Sequence, residues 1–233
     1  MRKKAKTVSK EKRSARPRKR AEQQRSLETR AQILNAAIAE FAESGFEGAS
    51  IRAIADRLDL QHPLITYHYR SKDVLWRAAG EYAFAQISGS LGGRVAPESA
   101  DLSPLARLRR EYESLYRFTV AFPEFHRFMR QQALPNNPRL EWVAKTVLSP
   151  LLGRLLPQIV AAQKQRLLPA VDPILFHYMM VSLTATLSGF GPEMQVTSGR
   201  CSGDKNIVEV YWRLVEATVF GDCTCAKPGR KGR

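Results

Sequence analysis

SIRAIADRLDLQHPLITYHYRSK, residues 50–72, is the stretch on which the fold turns. Ile51, Ile54, Ala55 and Leu58 form one apolar stripe at helical spacing, and Ser50 stands before them as an N-cap whose hydroxyl accepts from the free amides of the next turn. The spacing predicts a short helix over 51–58. Asp59-Leu60 reads as a tight turn. A second short helix is expected from His62 to Tyr69, with Pro63 in its first turn, where a missing amide costs nothing. Two short helices joined by a tight turn, the second of them polar, are the geometry that lays one helix in the major groove of DNA.

Outward from that stretch the same logic holds. Ile33, Leu34, Ala37, Ile38 and Phe41 predict a helix from about Leu27 to Ser44, ended by Gly45. Ser71 caps a fourth helix, to about Ser88, with Asp73 placed to favour its positive N-terminal end. Residues 91–101, rich in Gly, Pro and Ser, read as a loop. Further helices are expected from Ser103-Pro104 and from Pro123, and over 140–165, where Pro150 and Pro157 each remove a backbone hydrogen bond, a kinked helix or two shorter ones. Asp172-Pro173 starts a helix to about Phe190 that is apolar nearly all round, and a final helix spans about 204–220. No strands and no repeats are evident. The expected class is all-α: an N-terminal three-helix helix-turn-helix domain and a C-terminal helical bundle.

The net charge of +15 sits in the tails. Residues 1–20 carry eleven Lys or Arg against Glu11 alone, and 226–233 add four more, so the body is nearly neutral. The expected organisation is a disordered basic arm over 1–24, a DNA-binding domain over 25–72, a helical domain over 73–221 and a disordered basic tail over 222–233. The arm has no apolar core of a secretory signal and no amphipathic face of a transit peptide. It is expected to add sequence-independent affinity along phosphates or in the minor groove. Cys201, Cys223 and Cys225 are too few for a disulfide framework and fit a reducing compartment.

Within 61–72, Gln61, His62 and Thr66 are placed to reach base edges, and Tyr67, His68 and Lys72 to bond phosphates. The run from Thr29 to Leu75, with Phe41, Gly45-Phe46, Ser50 to Ala55 and Tyr67 to Leu75, resembles the DNA-binding domain of the TetR family of bacterial regulators. The resemblance implies a homodimer that binds an operator under the control of a small effector held in a variable C-terminal domain. By position it makes Ser50 and Arg52 backbone or base contacts, Gln61 to Thr66, including Leu64, the base-reading surface, and Tyr67, His68 and Lys72 the phosphate grip. Two departures stand out: Asp59 replaces the usual turn glycine, and Gln61 the usual small hydroxyl cap.

In the larger part, Tyr116, Phe122, Phe125, Met129, Trp142, His177 and Tyr178 are candidates to line an apolar effector cavity. The helices near 173–190 and 204–220 are the expected dimer face, which pairs two recognition helices on a palindromic operator. No metal, cofactor, membrane span or catalytic role is expected, since no phosphate loop, nucleophile elbow or ligand spacing is present. The expected setting is the bacterial cytoplasm, at the nucleoid. The alternative is an architectural DNA-binding protein without an effector.

Overall fold

A computed structural model describes the backbone of residues 8–91, 102–134 and 136–221. Residues 92–101 of the loop expected over 91–101, and the tail from 222 with Cys223 and Cys225, lie outside the described residues. Every described element is helical. The chain divides into two compact units, one to Tyr82 and one from Ala83.

In the first unit, α1 spans Val8–Gly48, α2 Ile51–Asp56 and α3 His62–His68, and α4, Lys72–Leu91, begins. The arm expected over 1–24 to lack structure is helical from Val8. Its Lys, Arg, Glu, Gln and Ala are good helix formers, and a helix already nucleated in a packed module extends without a second nucleation cost. At Gly45 α1 breaks, with φ +67° and ψ 177°, a conformation that glycine alone adopts readily. The break lets Phe46 fold back onto Phe41, the rings 5.9 Å apart and stacked, and meet Trp76 of α4 edge-on at 6.5 Å. Ile33, Ala37, Phe41, Ile54, Ile65, Leu75 and Trp76 are all buried, so α1, the short α2 and α3, and the first turns of α4 share one core.

The turn between α2 and α3 puts Asp59 at φ +52°, the left-handed region where Asp is better tolerated than most residues. Leu60 N donates to Ala55 O at 3.0 Å and closes the turn. Arg57, at the end of α2, reaches Glu40 at 2.9 Å and also Glu43, both on α1. Glu40 is buried, and the guanidinium supplies its partner.

The second unit contains α5 (Pro104–Ala121), α6 (Pro123–Gln132), α7 (Leu140–Val143), α8 (Ser149–Lys164), α9 (Pro173–Thr184), α10 (Thr186–Ser198) and α11 (Lys205–Phe220). Its core gathers Leu108, Tyr112 and Tyr116 of α5, Ile159 of α8, Phe176 and Met180 of α9, and Trp212 and Val215 of α11. Tyr116 stacks on Trp212 at 5.5 Å and donates its hydroxyl to Val208 O at 2.8 Å.

One expectation holds and one is corrected. The 140–165 segment is two shorter helices, α7 and α8, joined ahead of Pro150 by a π-helical segment over Ala144–Leu148, with Pro157 inside α8. Proline cannot donate to the carbonyl four residues back, and the wider turn relieves the clash of its ring with that carbonyl. The single helix expected over 173–190 is two helices, α9 and α10, bent by 40° at Ala185. The carbonyls at the break have side-chain donors: Tyr211 Oη reaches Leu183 O at 2.9 Å and Thr119 Oγ1 reaches Thr184 O at 2.7 Å. Competing donors from α5 and α11 stabilise a break that the periodicity of α9 does not announce. Among the described residues no single helix is long and apolar enough to cross a membrane.

Candidate nucleic-acid interface and effector cavity

α3 turns one face inward and the other out. Ile65 is fully buried, which anchors the helix, whereas His62, Leu64 and Tyr67 face solvent, Tyr67 with 81% of its surface exposed. An aromatic side chain left so open by the fold gains nothing from its own core, and its ring and hydroxyl are available to a partner. Gln61 is extended at φ −74° and ψ 131° and forms no side-chain bond to the α3 amides, so its amide group is not spent on capping. Thr66 Oγ1 donates to Pro63 O at 3.1 Å, which commits its proton and leaves its lone pairs for an outside donor.

At the start of α2, Ser50 Oγ accepts from Ala53 N at 3.0 Å, so this serine is a cap first, and Arg52 beside it is exposed. His68 is half-buried, and its Nδ1 has no hydrogen-bond partner among the described residues. Burial, then the nearby Arg30 guanidinium, holds its proton affinity below that of an ordinary imidazole. Arg30 is the residue that sequence reasoning missed here. It lies on α1, far from α3 in sequence, and tertiary packing brings its charge to the end of α3.

Lys72, expected as a phosphate grip, is engaged within the protein itself. Its Nζ donates to Glu47 O at 3.2 Å and Ala49 O at 3.1 Å and stands 4.7 Å above the Phe46 ring, tying the start of α4 to the end of α1 and the loop that follows it. Lys72→Met is expected to lower the unfolding free energy by about 1 kcal/mol, the cost of two carbonyls losing a charged donor at a partly exposed site. Thermal melting checks this: an unchanged midpoint with weakened DNA binding would assign Lys72 to phosphate alone.

In the second unit a cavity of about 300 Å³ is walled by residues of α4 from Phe84 on, α5, α6, the π segment, α8 and α9. Of the effector candidates, Phe125, Met129, His177 and Tyr178 meet in this wall. Tyr116 does not, being spent in the core; Phe122 is half-exposed and packs on Phe118 at 5.1 Å, and Trp142 also lies outside the lining. The wall further includes Leu115, Thr119, His126, Leu151, Arg154 and Thr184. His177 Nδ1 bonds the Tyr112 hydroxyl at 3.0 Å, and burial lowers its proton affinity. Among the described residues no group of three or more His, Cys, Asp or Glu is placed to hold a metal.

Residues 33–79 match the model of the bacterial regulatory proteins of the tetR family. The HTH-type transcriptional regulator RutR of Escherichia coli strain K12 is 23% identical over 176 residues, spanning 74% of this chain and 80% of that protein. A solved TetR family transcription regulator from Marinobacter aquaeolei VT8 superimposes with a TM-score of 0.60 at 19% identity, over 84% of this chain and 98% of that one. A TetR-like transcriptional regulator from Rhodococcus sp. RHA1 gives 0.52 at 22% identity, over 80% and 91%. At such identities the solved structures establish a common fold.

Proposed function

As the chain is a DNA-binding transcriptional regulator of the tetR family, we propose that it is a repressor whose α3 reads an operator half-site and whose second-unit cavity holds the effector that releases it. The observation that carries the DNA reading is the split of α3 into a buried anchor, Ile65, and an open face with Gln61, His62, Leu64, Thr66 and Tyr67. Ser50 and Arg52 support that face from the start of α2, and His68 and Lys72 provide phosphate contacts. The protein acts where its DNA is, in the bacterial cytoplasm.

Regulators of this family form dimers, and the apolar surface that α10 and α11 leave open is the proposed contact between copies. Phe190 and Val196 of α10 are 55% and 87% exposed, and Val210 and Leu214 of α11 are 51% and 60% exposed. A two-fold axis through such a face sets two recognition helices on the half-sites of a palindrome. α4 carries Leu75 and Trp76 in the first core and Phe84 and Ile87 in the cavity wall, so a ligand that prefers one position of α4 biases DNA binding.

The test is equilibrium binding to the DNA upstream of its own gene and to a scrambled duplex of equal length, at near-physiological salt. A preference of about a thousandfold or more is expected. Near-equal binding would favour an architectural protein that coats DNA without an effector.

A further inference from the structure

His177 stands in the cavity wall with 2% of its surface exposed, and the pairing of its ring nitrogens decides what it presents there. Nδ1 lies 3.0 Å from the hydroxyl of Tyr112, which is itself buried and has no other acceptor among the described residues. A proton on Nδ1 would leave the phenol proton buried and unpaired, a cost that the other tautomer avoids. The phenol therefore donates, Nδ1 accepts, and the proton of the neutral imidazole sits on Nε2. Burial lowers the proton affinity of His177 and raises that of the Tyr112 phenolate, so both favour their uncharged forms. Nε2 has no hydrogen-bond partner among the described residues and, unlike Nε of Arg154 and Nδ1 of His126, is not enclosed by its neighbours. On a residue so buried, the space left to that nitrogen is the cavity.

The other polar wall residues do not compete with it. Thr119 Oγ1 donates to Thr184 O at 2.7 Å and Thr184 Oγ1 to Val181 O at 3.0 Å, so neither has a proton to spare. Arg154 is ion-paired with Glu111 at 3.0 Å, and no Asp or Glu is among the described wall residues, so a charged ligand finds no free counter-charge. His126 has no hydrogen bond at Nδ1 to fix its tautomer, so it adapts to a ligand rather than selecting one. Phe84 and Phe125 meet edge to face at 5.9 Å and offer apolar surface suited to a ring. At ~30 Å³ per atom, the share of a water in the liquid, the space admits roughly ten non-hydrogen atoms. A carbonyl oxygen suits one fixed donor, because it accepts without bringing a proton that must find its own partner.

We infer that the cavity takes a small neutral carbonyl compound with an apolar, ring-sized body, its oxygen accepting from Nε2 of His177 and its body packed on Phe84 and Phe125. This rests on the effector reading above and adds the chemistry of the ligand.

Binding of acetophenone, cumene and benzoate to the full chain, followed by ligand NMR at about pH 8 where an ordinary imidazole is neutral, tests it. The three share one ring and the same number of non-hydrogen atoms, and carry in turn a neutral carbonyl, no polar atom and a carboxylate. Acetophenone is expected to bind at least about tenfold more tightly than benzoate, which must shed its hydration without a counter-charge. His177→Phe should lower the ratio of acetophenone to cumene affinity about tenfold, since the carbonyl is then buried unpaired. The paired variant His177→Phe with Tyr112→Phe leaves no phenol without an acceptor and should lower the ratio equally if the single variant folds poorly. Nitrogen NMR of the parent should place the His177 ring proton on Nε2, and a proton on Nδ1 would overturn the donor. An affinity ratio that neither variant alters, or benzoate binding as tightly as acetophenone, would overturn the carbonyl assignment and leave the effector reading standing. If none of the three compounds binds, both the ligand class and the effector reading fail.

Discussion

Replacing Gln61, Thr66 and Tyr67 together by Ala is expected to erase the preference for operator over scrambled DNA while the protein stays folded. The fold should survive because none of the three supports it. Tyr67 is 81% exposed, Gln61 caps nothing, and the Thr66 hydroxyl bonds only carbonyls of its own helix. A good contact to a base edge is worth about 1–3 kcal/mol of discrimination, and a dimer makes each contact twice. Operator affinity should therefore fall at least about a thousandfold, towards the level of non-specific binding. Binding to the scrambled duplex should change little, because Lys and Arg contacts to phosphate remain. Fluorescence anisotropy on both duplexes reads the two quantities together. An equal loss on both would make these residues phosphate ligands, and no loss on either would take α3 out of the groove.

The second large effect concerns the face of α11. Val210 and Leu214, one helical turn apart, stay in solvent while Trp212 and Val215, on the other side of the same helix, fill the core. The paired change Val210→Glu with Leu214→Glu leaves that core untouched. Burying Val or Leu is worth about 1.5–3 kcal/mol each, and symmetry doubles the loss and sets four new carboxylates near one another across the axis. Dimerisation should weaken by at least about a thousandfold. Sedimentation equilibrium should show a folded monomer at concentrations where the parent is a dimer, and operator affinity should fall with it, because one recognition helix alone cannot span two half-sites. A double variant that remains a dimer would move the interface elsewhere, with the exposed Leu175, Tyr178 and Met179 on α9 next to be altered.

Both predictions rest on sorting residues that look alike in sequence. Tyr112, Tyr116 and Tyr178 all sit at helical spacing in an apolar context, yet the first two are buried and the third is half-exposed beside a cavity. Likewise Phe125 reached the cavity and Phe122 did not, although they are three residues apart across the start of α6. The difference is the cap itself: Phe122 ends α5 at φ −132° and turns its ring out of the bundle.

By itself the sequence determined the all-helical class, the helix-turn-helix of the first unit and the outward residues of α3. These follow from local causes: apolar spacing, the Ser50 cap, Pro63 at a helix start and a turn at Asp59 that tolerates a left-handed residue. The tertiary structure decided the rest. It broke the expected 173–190 helix at Ala185 through donors from α5 and α11, and turned Lys72 back onto the carbonyls of Glu47 and Ala49. It also gathered Thr119, His126, Arg154 and Thr184 around one cavity. Such outcomes hang on contacts between residues far apart in the chain, where one hydroxyl or one cation from another helix outweighs local preference, and no periodicity within a single helix records them.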